Sequence, residues 1–353
     1  MIGQNDLTTG TTAHIDATGS APERWRFARQ VLPKSYLILV LIAIVVAGYY
    51  ISPDFISGRN LQNVISSAAI IAVLAIGQFF VILTGGIDLS VGSTLAMSTV
   101  VVAIALRSGM PAGAAIVFTL FAAAVVGAIN GVLIVWLRLP PFIATLAMLS
   151  AVEGFSYIIQ STSLIAITNT TFITIFSSGT VLGVPNAVVI FVLLAALAAF
   201  VAKYTTFGRQ LYAIGGNPEA ARLSGLPVAR NLLVTYTLSG LLAGLAGLIS
   251  AGQLLQGSSL IGSNYELDAI AAVVVGGASL FGGKGDPISA IIGVFVLSLI
   301  VNIMNLIGIS SEPQLVIKGA VIVIAVFLSS AGGVQRIGAF FSTMRRQRAA
   351  VAR

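Results

Sequence analysis

Acidic side chains within a very apolar chain are the residues best placed to do chemistry. Asp88 and Ser90 interrupt one hydrophobic run, Glu153 lies inside another, and Glu266 and Asp268 open a third. A carboxylate close to a lipid bilayer is costly and is often functional, because it can line a polar passage or a gate. These five residues are therefore the candidates for a gate or a passage.

Each candidate also has a purely structural interpretation. Asp88 can cap the helix that follows it, and Glu153 can be an acid near the outer membrane interface. Glu266 and Asp268 suit the positive end of a helix dipole. The sequence alone leaves these alternatives open.

Composition excludes several kinds of catalytic and binding site. The chain contains no Cys and one His, His14, which excludes a thiol nucleophile, a disulfide framework and a His-based metal centre within it. Gly283 and Lys284 resemble a phosphate-binding loop only superficially, because Ala278 and Gly285 occupy the positions where that motif requires Gly and Ser or Thr. We expect no cofactor in this chain, so any ATP-driven step would need an ATPase on a partner.

A polar segment in the middle of the chain carries its own helix start and stop signals. Asn217 is a suitable N-cap, Pro218 suits the first helical position, and Glu219 favours the helix dipole. Gly225 is placed as the C-terminal glycine, and Pro227 prevents the helix from resuming. A helix of about two turns is marginal alone in water, so this segment is either a well-capped surface loop or an element that docks on a partner.

The pattern of this segment resembles the coupling loop in membrane subunits of ATP-binding-cassette (ABC) importers. The wider string GRQLYAIGGNPEAARLSG is similar to the ribose and monosaccharide branch of that family. So are ILTGGIDLSVGS at 82–93 and YELDAIAAVVVGG at 265–277. The resemblance implies a coupling loop within residues 204–230, formed by Asn217, Pro218, Glu219, Ala220, Ala221, Arg222 and Gly225.

The resemblance also implies the partners and the function. Two such membrane subunits, identical or paralogous, pair with cytoplasmic ABC ATPase subunits that bind ATP and Mg. A periplasmic or lipid-anchored binding protein delivers a monosaccharide to the outer face. The expected location is the inner (plasma) membrane of a bacterium, and the chain itself is expected not to be an enzyme.

Composition indicates a membrane protein independently of the resemblance. Hydrophobic residues make up 57% of the chain and charged residues 8%, against about 25% charged in a soluble domain. The mean hydropathy is +1.03, and no soluble core could bury so much apolar side chain. The net charge of +7 is spread over span ends and tails, which indicates membrane topology and not nucleic-acid binding.

The hydrophobic runs predict an all-α integral membrane protein with about ten transmembrane helices. We expect a largely disordered tail at 1–34, a permease domain at 35–330 and a basic tail at 331–353. The predicted spans are Ser35–Ile51, Leu61–Thr84, Leu89–Leu106, Ala112–Leu137, Phe142–Ile159, Pro185–Ala202, Asn231–Leu255, Tyr265–Leu280, Pro287–Ile307 and Pro313–Leu328.

The distribution of basic residues predicts that both termini are cytoplasmic. With that orientation, fifteen of the 18 Lys and Arg residues lie on the inner side, and only Arg59 and Arg107 lie outside. Such an excess follows the positive-inside rule. It also places the capped segment in the cytoplasm.

An ion-coupled secondary transporter of a small polar solute is the alternative. It too would have about ten spans and buried acids. We expect it to need charged or broken-helix ion sites near the middle of the membrane, and the sequence suggests few of them.

Overall fold

The computed structural model describes residues 23–160 and 164–329. The N-terminal tail up to residue 22 and the C-terminal tail from residue 330 lie outside the described residues. The described α-helices are α1 (Glu23–Ile51), α2 (Gly58–Leu83), α3 (Val91–Arg107), α4 (Ala112–Val135), α5 (Pro141–Gln160), α6 (Thr170–Ile173), α7 (Asn186–Tyr204), α8 (Thr206–Gly216), α9 (Pro218–Leu223), α10 (Val228–Leu254), α11 (Tyr265–Val275), α12 (Pro287–Leu306) and α13 (Ser311–Ser329).

Six of these helices are long and apolar enough to cross a membrane: α2, α4, α5, α7, α10 and α12. Helix α3 and the Leu37–Ile51 part of α1 are apolar but shorter. With a mostly helical chain and several spans, the protein is an all-α, multi-pass membrane protein.

Helix α1 begins at Glu23, and its apolar part, Leu37–Ile51, agrees with the span predicted at Ser35–Ile51. The predicted end of the span that begins at Tyr265 is wrong. Helix α11 ends at Val275 and not at Leu280, because Gly276 is its C-cap and Gly277 takes a positive φ of 89° that turns the backbone out of the helix. The apolar residues on either side of these glycines hide the break in the sequence.

The core lies around α2 and α10. Within their most apolar windows 78% of α2 and 61% of α10 is buried, against 22–33% of α4, α5 and α7. Helix α10 packs along α4, α2 and α3. The outer helices turn large apolar side chains outward, as lipid-facing helices do.

Small residues allow α10 and α4 to approach closely. A Cβ added at Gly240 would lie 2.5 Å from the Ala123 carbonyl oxygen and 2.8 Å from the Gly127 Cα. Backbone contact of this kind is the usual role of small residues between membrane helices. Ser239, Gly240, Gly244 and Gly247 form the stripe of small residues along which α10 meets its neighbours.

The uncharged segment between α5 and α7 contains a short helix and a strand pair. Helix α6 continues into a π-helical turn at Thr174–Ser178, and β2 (Thr180–Val181) pairs antiparallel with β3 (Val184–Pro185). Strand β1 (Ile165–Ala166) pairs antiparallel with β4 (Gln256–Gly257), directly after α10. This pairing joins the segment to the connection between α10 and α11.

Candidate functional site

The capped helix predicted from the sequence is present as α9. The Asn217 side chain accepts a hydrogen bond from the Ala220 N–H at 2.9 Å, and Pro218 is the first helical residue. Gly225 has a φ of +79°, and the Leu226 N–H donates to the Ala221 carbonyl at 3.1 Å. These bonds satisfy both helix ends, so α9 is held in shape by its own sequence.

The outer side of α9 is exposed, whereas Ala221 is buried. Arg222 donates to Glu219 through Nη2 at 2.6 Å and through Nε at 3.0 Å. That hydrogen bond lowers the pKa of the Glu219 carboxyl and raises the pKa of Arg222. Leu223 is 73% exposed beside this ion pair, so α9 presents a charged pair and an apolar side chain on one free surface.

Helix α8, which the sequence analysis missed, anchors α9 to the transmembrane helices. A Cβ added at Gly215 would collide with the Leu83 carbonyl and lie 2.5 Å from the Gly283 N. The Gly283 N–H in turn donates to the Leu83 carbonyl at 2.9 Å. The Tyr212 hydroxyl donates to the Gly285 carbonyl at 2.8 Å, and burial raises the pKa of Tyr212. Helix α8 thus contacts the end of α2 and the connection between α11 and α12 together.

Asp88 lies in a fully buried polar network that joins three elements. Its Oδ1 accepts from the Ser90 N–H at 3.0 Å and from the Ser90 hydroxyl at 2.7 Å, and its Oδ2 accepts from the Ser239 hydroxyl at 2.8 Å. Asn130 of α4 donates to the Ser90 hydroxyl at 2.7 Å. The expectation that Asp88 N-caps α3 is wrong: Ser90 holds the N-cap position, without a side-chain capping bond. The Asp88 carboxylate instead ties the turn before α3 to α10.

The surroundings of Asp88 contain further polar groups. The Gln78 amide faces the Asp88 backbone and, in the orientation that satisfies both atoms, donates to its carbonyl at 3.1 Å and accepts from its N–H at 3.2 Å. Asn130 Oδ1 and the Tyr236 hydroxyl are buried without a hydrogen-bond partner among the described residues. A buried water usually satisfies such groups.

Helices α3 and α11 both begin deep inside the molecule. Asp88, just before α3, bonds to Ser239, whereas an added Cβ at Gly247 would lie 2.6 Å from the Leu95 carbonyl oxygen. The first turn of α3 is therefore level with about residues 240–244, the middle of α10. Glu266, in the first turn of α11, lies against Gly92 in the first turn of α3, so both helices start at the same depth.

The residues that connect α10 to α11 run back along α3. Gly257 packs on Thr99 and Ala103, and Gly262 packs on Leu95 and Gly92. The Thr99 hydroxyl donates to the Ser258 carbonyl at 3.1 Å and accepts from the Ser258 N–H at 3.1 Å. We call residues 255–264 the descending segment. It and α11 together form a broken span.

Glu153 and Glu266 line one cavity of about 230 Å³. Glu153 lies well inside α5, so it is not placed at a helix end. The other lining residues come from the start of α3, from α5 and from the descending segment, and they are Gly92, Ser93, Ala96, Leu149, Ser259, Ile261, Gly262, Ser263 and Asn264. We call this space the central cavity.

Asp268 lies at a different cavity from Glu266. It forms an ion pair with Lys318 of α13 at 2.8 Å and lines a space of about 440 Å³ between α2, α11, α12 and α13. Asn60 and Asn302 on its wall bond to each other at 2.9 and 2.7 Å. Asp268 and the two Asn residues thus have partners within this space. The five candidates therefore lie at three separate sites: Asp88 with Ser90, Glu153 with Glu266, and Asp268.

The sequence could not indicate which of these residues meet. Glu153 and Glu266 are far apart in sequence and lie on different helices. Gly92 and Gly215 lie within the motifs at 82–93 and 208–225, but nothing in those motifs shows which residues they contact. Ser259 carried no signal.

The family of the chain follows from comparison with known proteins. Residues 60–326 match the family described as the branched-chain amino acid transport system permease component. The chain belongs to this family of membrane permeases. No solved structure gives a significant match.

Several relatives are similar over most of their length. The ribose import permease protein RbsC of Escherichia coli K12 is 40% identical over 83% of this chain and 91% of that protein. RbsC of Bacillus subtilis 168 is 42% identical, over 83% and 91%. The D-allose transport system permease protein AlsC of E. coli K12 is 34% identical, over 90% and 98%.

Proposed function

We propose that this chain is the membrane-spanning permease subunit of an ABC importer that carries a monosaccharide, a ribose-like pentose or a hexose, across the inner membrane of a bacterium. Relatives named as ribose, D-allose and galactose permeases support this substrate class. The family description names branched-chain amino acids, but several relatives that cover most of this chain are named as sugar permeases.

The observation that carries the proposal is the attachment of α9. Its outer surface is free to meet a partner, while α8 behind it contacts the Leu83 carbonyl and Gly283. Leu83 directly precedes the turn that leads into α3, and Gly283 lies in the connection that follows α11. A displacement of α9 by an ATPase would therefore reach both helices that begin at the central cavity.

In this account the coupling loop is formed by Asn217, Pro218, Glu219, Ala220, Ala221, Arg222 and Gly225. The small, exposed Ala220 side chain lets the helix lie flush in a cleft of the ATPase, while the buried Ala221 side chain faces the rest of the chain. Glu219 with Arg222 offers charges at the rim of that cleft. Asn217 and Gly225 fix the two ends. The motion follows ATP binding by the partner subunits, which hold the ATP and Mg.

The assembly and topology follow from the same proposal. The chain crosses the membrane about ten times with both termini in the cytoplasm, so that α9 faces the ATPase. A second copy or a paralogue completes the membrane part, and a periplasmic or lipid-anchored binding protein delivers the sugar. Asp88 and Ser90 hold the turn before α3, and Glu153, Glu266 and Asp268 line the passage or its gate.

Uptake by cells that lack the gene tests the substrate class. Deletion should lower the uptake of labelled D-ribose, D-allose or D-galactose and leave L-leucine uptake unchanged, and the restored gene should return the sugar uptake. Loss of L-leucine uptake alone would contradict the sugar proposal and favour the amino acid named in the family description.

The broken span at α11 favours one other function, an ion-coupled secondary transporter, because half-depth helices commonly build ion sites in such proteins. The two functions differ in their energy source. Uptake that stops when ATP is depleted but survives collapse of the ion gradients supports the importer, and the reverse pattern supports the secondary transporter.

A further inference from the structure

The central cavity is lined by groups that could meet a ligand. The Ser259 hydroxyl has no hydrogen-bond partner among the described residues, although Ser259 is only 5% exposed. Glu153 and Glu266 form no ion pair with a described residue. The cavity therefore differs from the space around Asp268, where the polar groups satisfy one another.

Two helix N-termini converge on this cavity. The first turns of α3 and α11 supply Gly92, Ser93 and Glu266 to its wall. Backbone N–H groups in a first turn have no partner within the helix, and the positive ends of both dipoles stabilise the carboxylates beside them. The site thus offers hydrogen-bond donors from the backbone and from the Ser259 hydroxyl beside strong carboxylate acceptors.

The depth of the cavity determines what can cover it. Ser263 and Asn264 are exposed on its rim, although this last part of the descending segment is level with the middle of α10. Hydrocarbon cannot satisfy irregular backbone and polar side chains at that depth, so such backbone must face protein or water. The rim therefore opens onto a hydrated space or onto the second permease subunit.

We propose that the central cavity binds a neutral polyhydroxylated solute on its way across the membrane, an inference that rests on the proposed function. Each solute hydroxyl can donate to the Glu153 or Glu266 carboxylate and accept from the Ser259 hydroxyl or a first-turn backbone N–H. The described residues that line the cavity include two carboxylates and no basic side chain, so the carboxylates repel solutes with a phosphate or carboxylate group. The volume of about 230 Å³ corresponds to about eight waters at roughly 30 Å³ each, which suits a small solute.

The absence of Cys from the sequence provides a direct test by single-cysteine labelling of the whole transporter in open membrane fragments. Ser263→Cys should react faster with a small cationic methanethiosulfonate than with the anionic reagent, at a rate ratio about tenfold above that of a free thiol, because two carboxylates concentrate cations. The ratio should fall to the free-thiol value when Glu153→Gln and Glu266→Gln are added. Phe155→Cys, on the outward side of α5 with Phe155 50% exposed, is the matched control and should stay unreactive.

Protection by D-ribose or D-galactose completes the test. Whichever sugar the wild-type transporter takes up should slow the labelling of Ser263→Cys. A rate ratio no higher than that of a free thiol, or a Ser263→Cys as unreactive as Phe155→Cys, would overturn the site while sugar uptake by the wild type leaves the proposed function standing. Charge-selective labelling without protection by the transported sugar would overturn the polyhydroxylated ligand and indicate a cation site.

Discussion

At the scale of single residues, Asp88 is held by donors and not by a basic partner. Three hydrogen bonds from Ser90 and Ser239 compensate the carboxylate in a site where Asp88 is only 1% exposed. A buried charge is tolerated only with such complete hydrogen bonding. The Asp88 network therefore acts first as a fastening between the turn before α3 and α10.

Replacement of this carboxylate should destabilise the protein. In Asp88→Asn an amide N–H₂ would face one of the donors, so we expect a loss of about 1–3 kcal/mol, measured as a lower temperature of thermal denaturation in mild detergent. Ser239→Ala removes only one donor and should cost about 1 kcal/mol. An Asp88→Asn variant no less stable than Ser239→Ala would contradict this role.

Glu219 should show the opposite behaviour, because its ion pair with Arg222 is exposed. Both side chains are 65% exposed, so the pair contributes little to the stability of the fold. Glu219→Lys should keep the wild-type denaturation temperature and expression while uptake falls sharply. Wild-type uptake in a normally expressed Glu219→Lys variant would show that this carboxylate has no part in coupling.

At the scale of elements, α8 is the mechanical connection between α9 and the two helices that start at the central cavity. Two adjacent glycines at its end allow a clean comparison. An added Cβ at Gly215 meets backbone atoms of Leu83 and Gly283, whereas one at Gly216 has nothing within 4 Å. The backbone atoms beside Gly215 cannot move aside without shifting α8.

Gly215→Ala should therefore impair transport, and Gly216→Ala should not. The overpacking at Gly215 costs about 1–3 kcal/mol and displaces α8, but α9 keeps its own caps and should still bind the ATPase. The measurement is uptake together with the amount of ATPase that copurifies. Equal uptake by the two variants would show that the close contact at Gly215 does not transmit motion.

The sequence predicts α9 far better than it predicts α8 or α11. Asn217, Pro218 and Gly225 are local signals: they set the start and the end of α9 without contacts to distant residues. The break at Gly276 is buried in an apolar run, where glycine is common in any membrane helix. Glu153 and Glu266 line the same cavity because of long-range packing, which no local pattern encodes.

In the whole molecule, α9 must lie on the cytoplasmic side of the membrane, because it can meet the ATPase only there. A C-terminal fusion to green fluorescent protein should fluoresce, since the fused protein folds in the cytoplasm and not when exported in unfolded form. A fusion placed after Arg107 should be dark, because that turn is predicted to lie outside. A dark C-terminal fusion with a fluorescent one at Arg107 would reverse the topology and remove α9 from the ATPase side.

An ATPase subunit that binds this chain through α9 should copurify with it from the native membrane in mild detergent. Mass spectrometry should find a stoichiometric protein with a Walker motif. It should be lost with Gly225→Pro, which removes the N–H that donates to the Arg222 carbonyl at 3.0 Å and cannot adopt a φ of +79°. It should be retained with Gly225→Asn, since Asn tolerates that conformation. Purification of the wild-type chain without an ATPase, combined with uptake driven by an ion gradient in liposomes, would contradict the account.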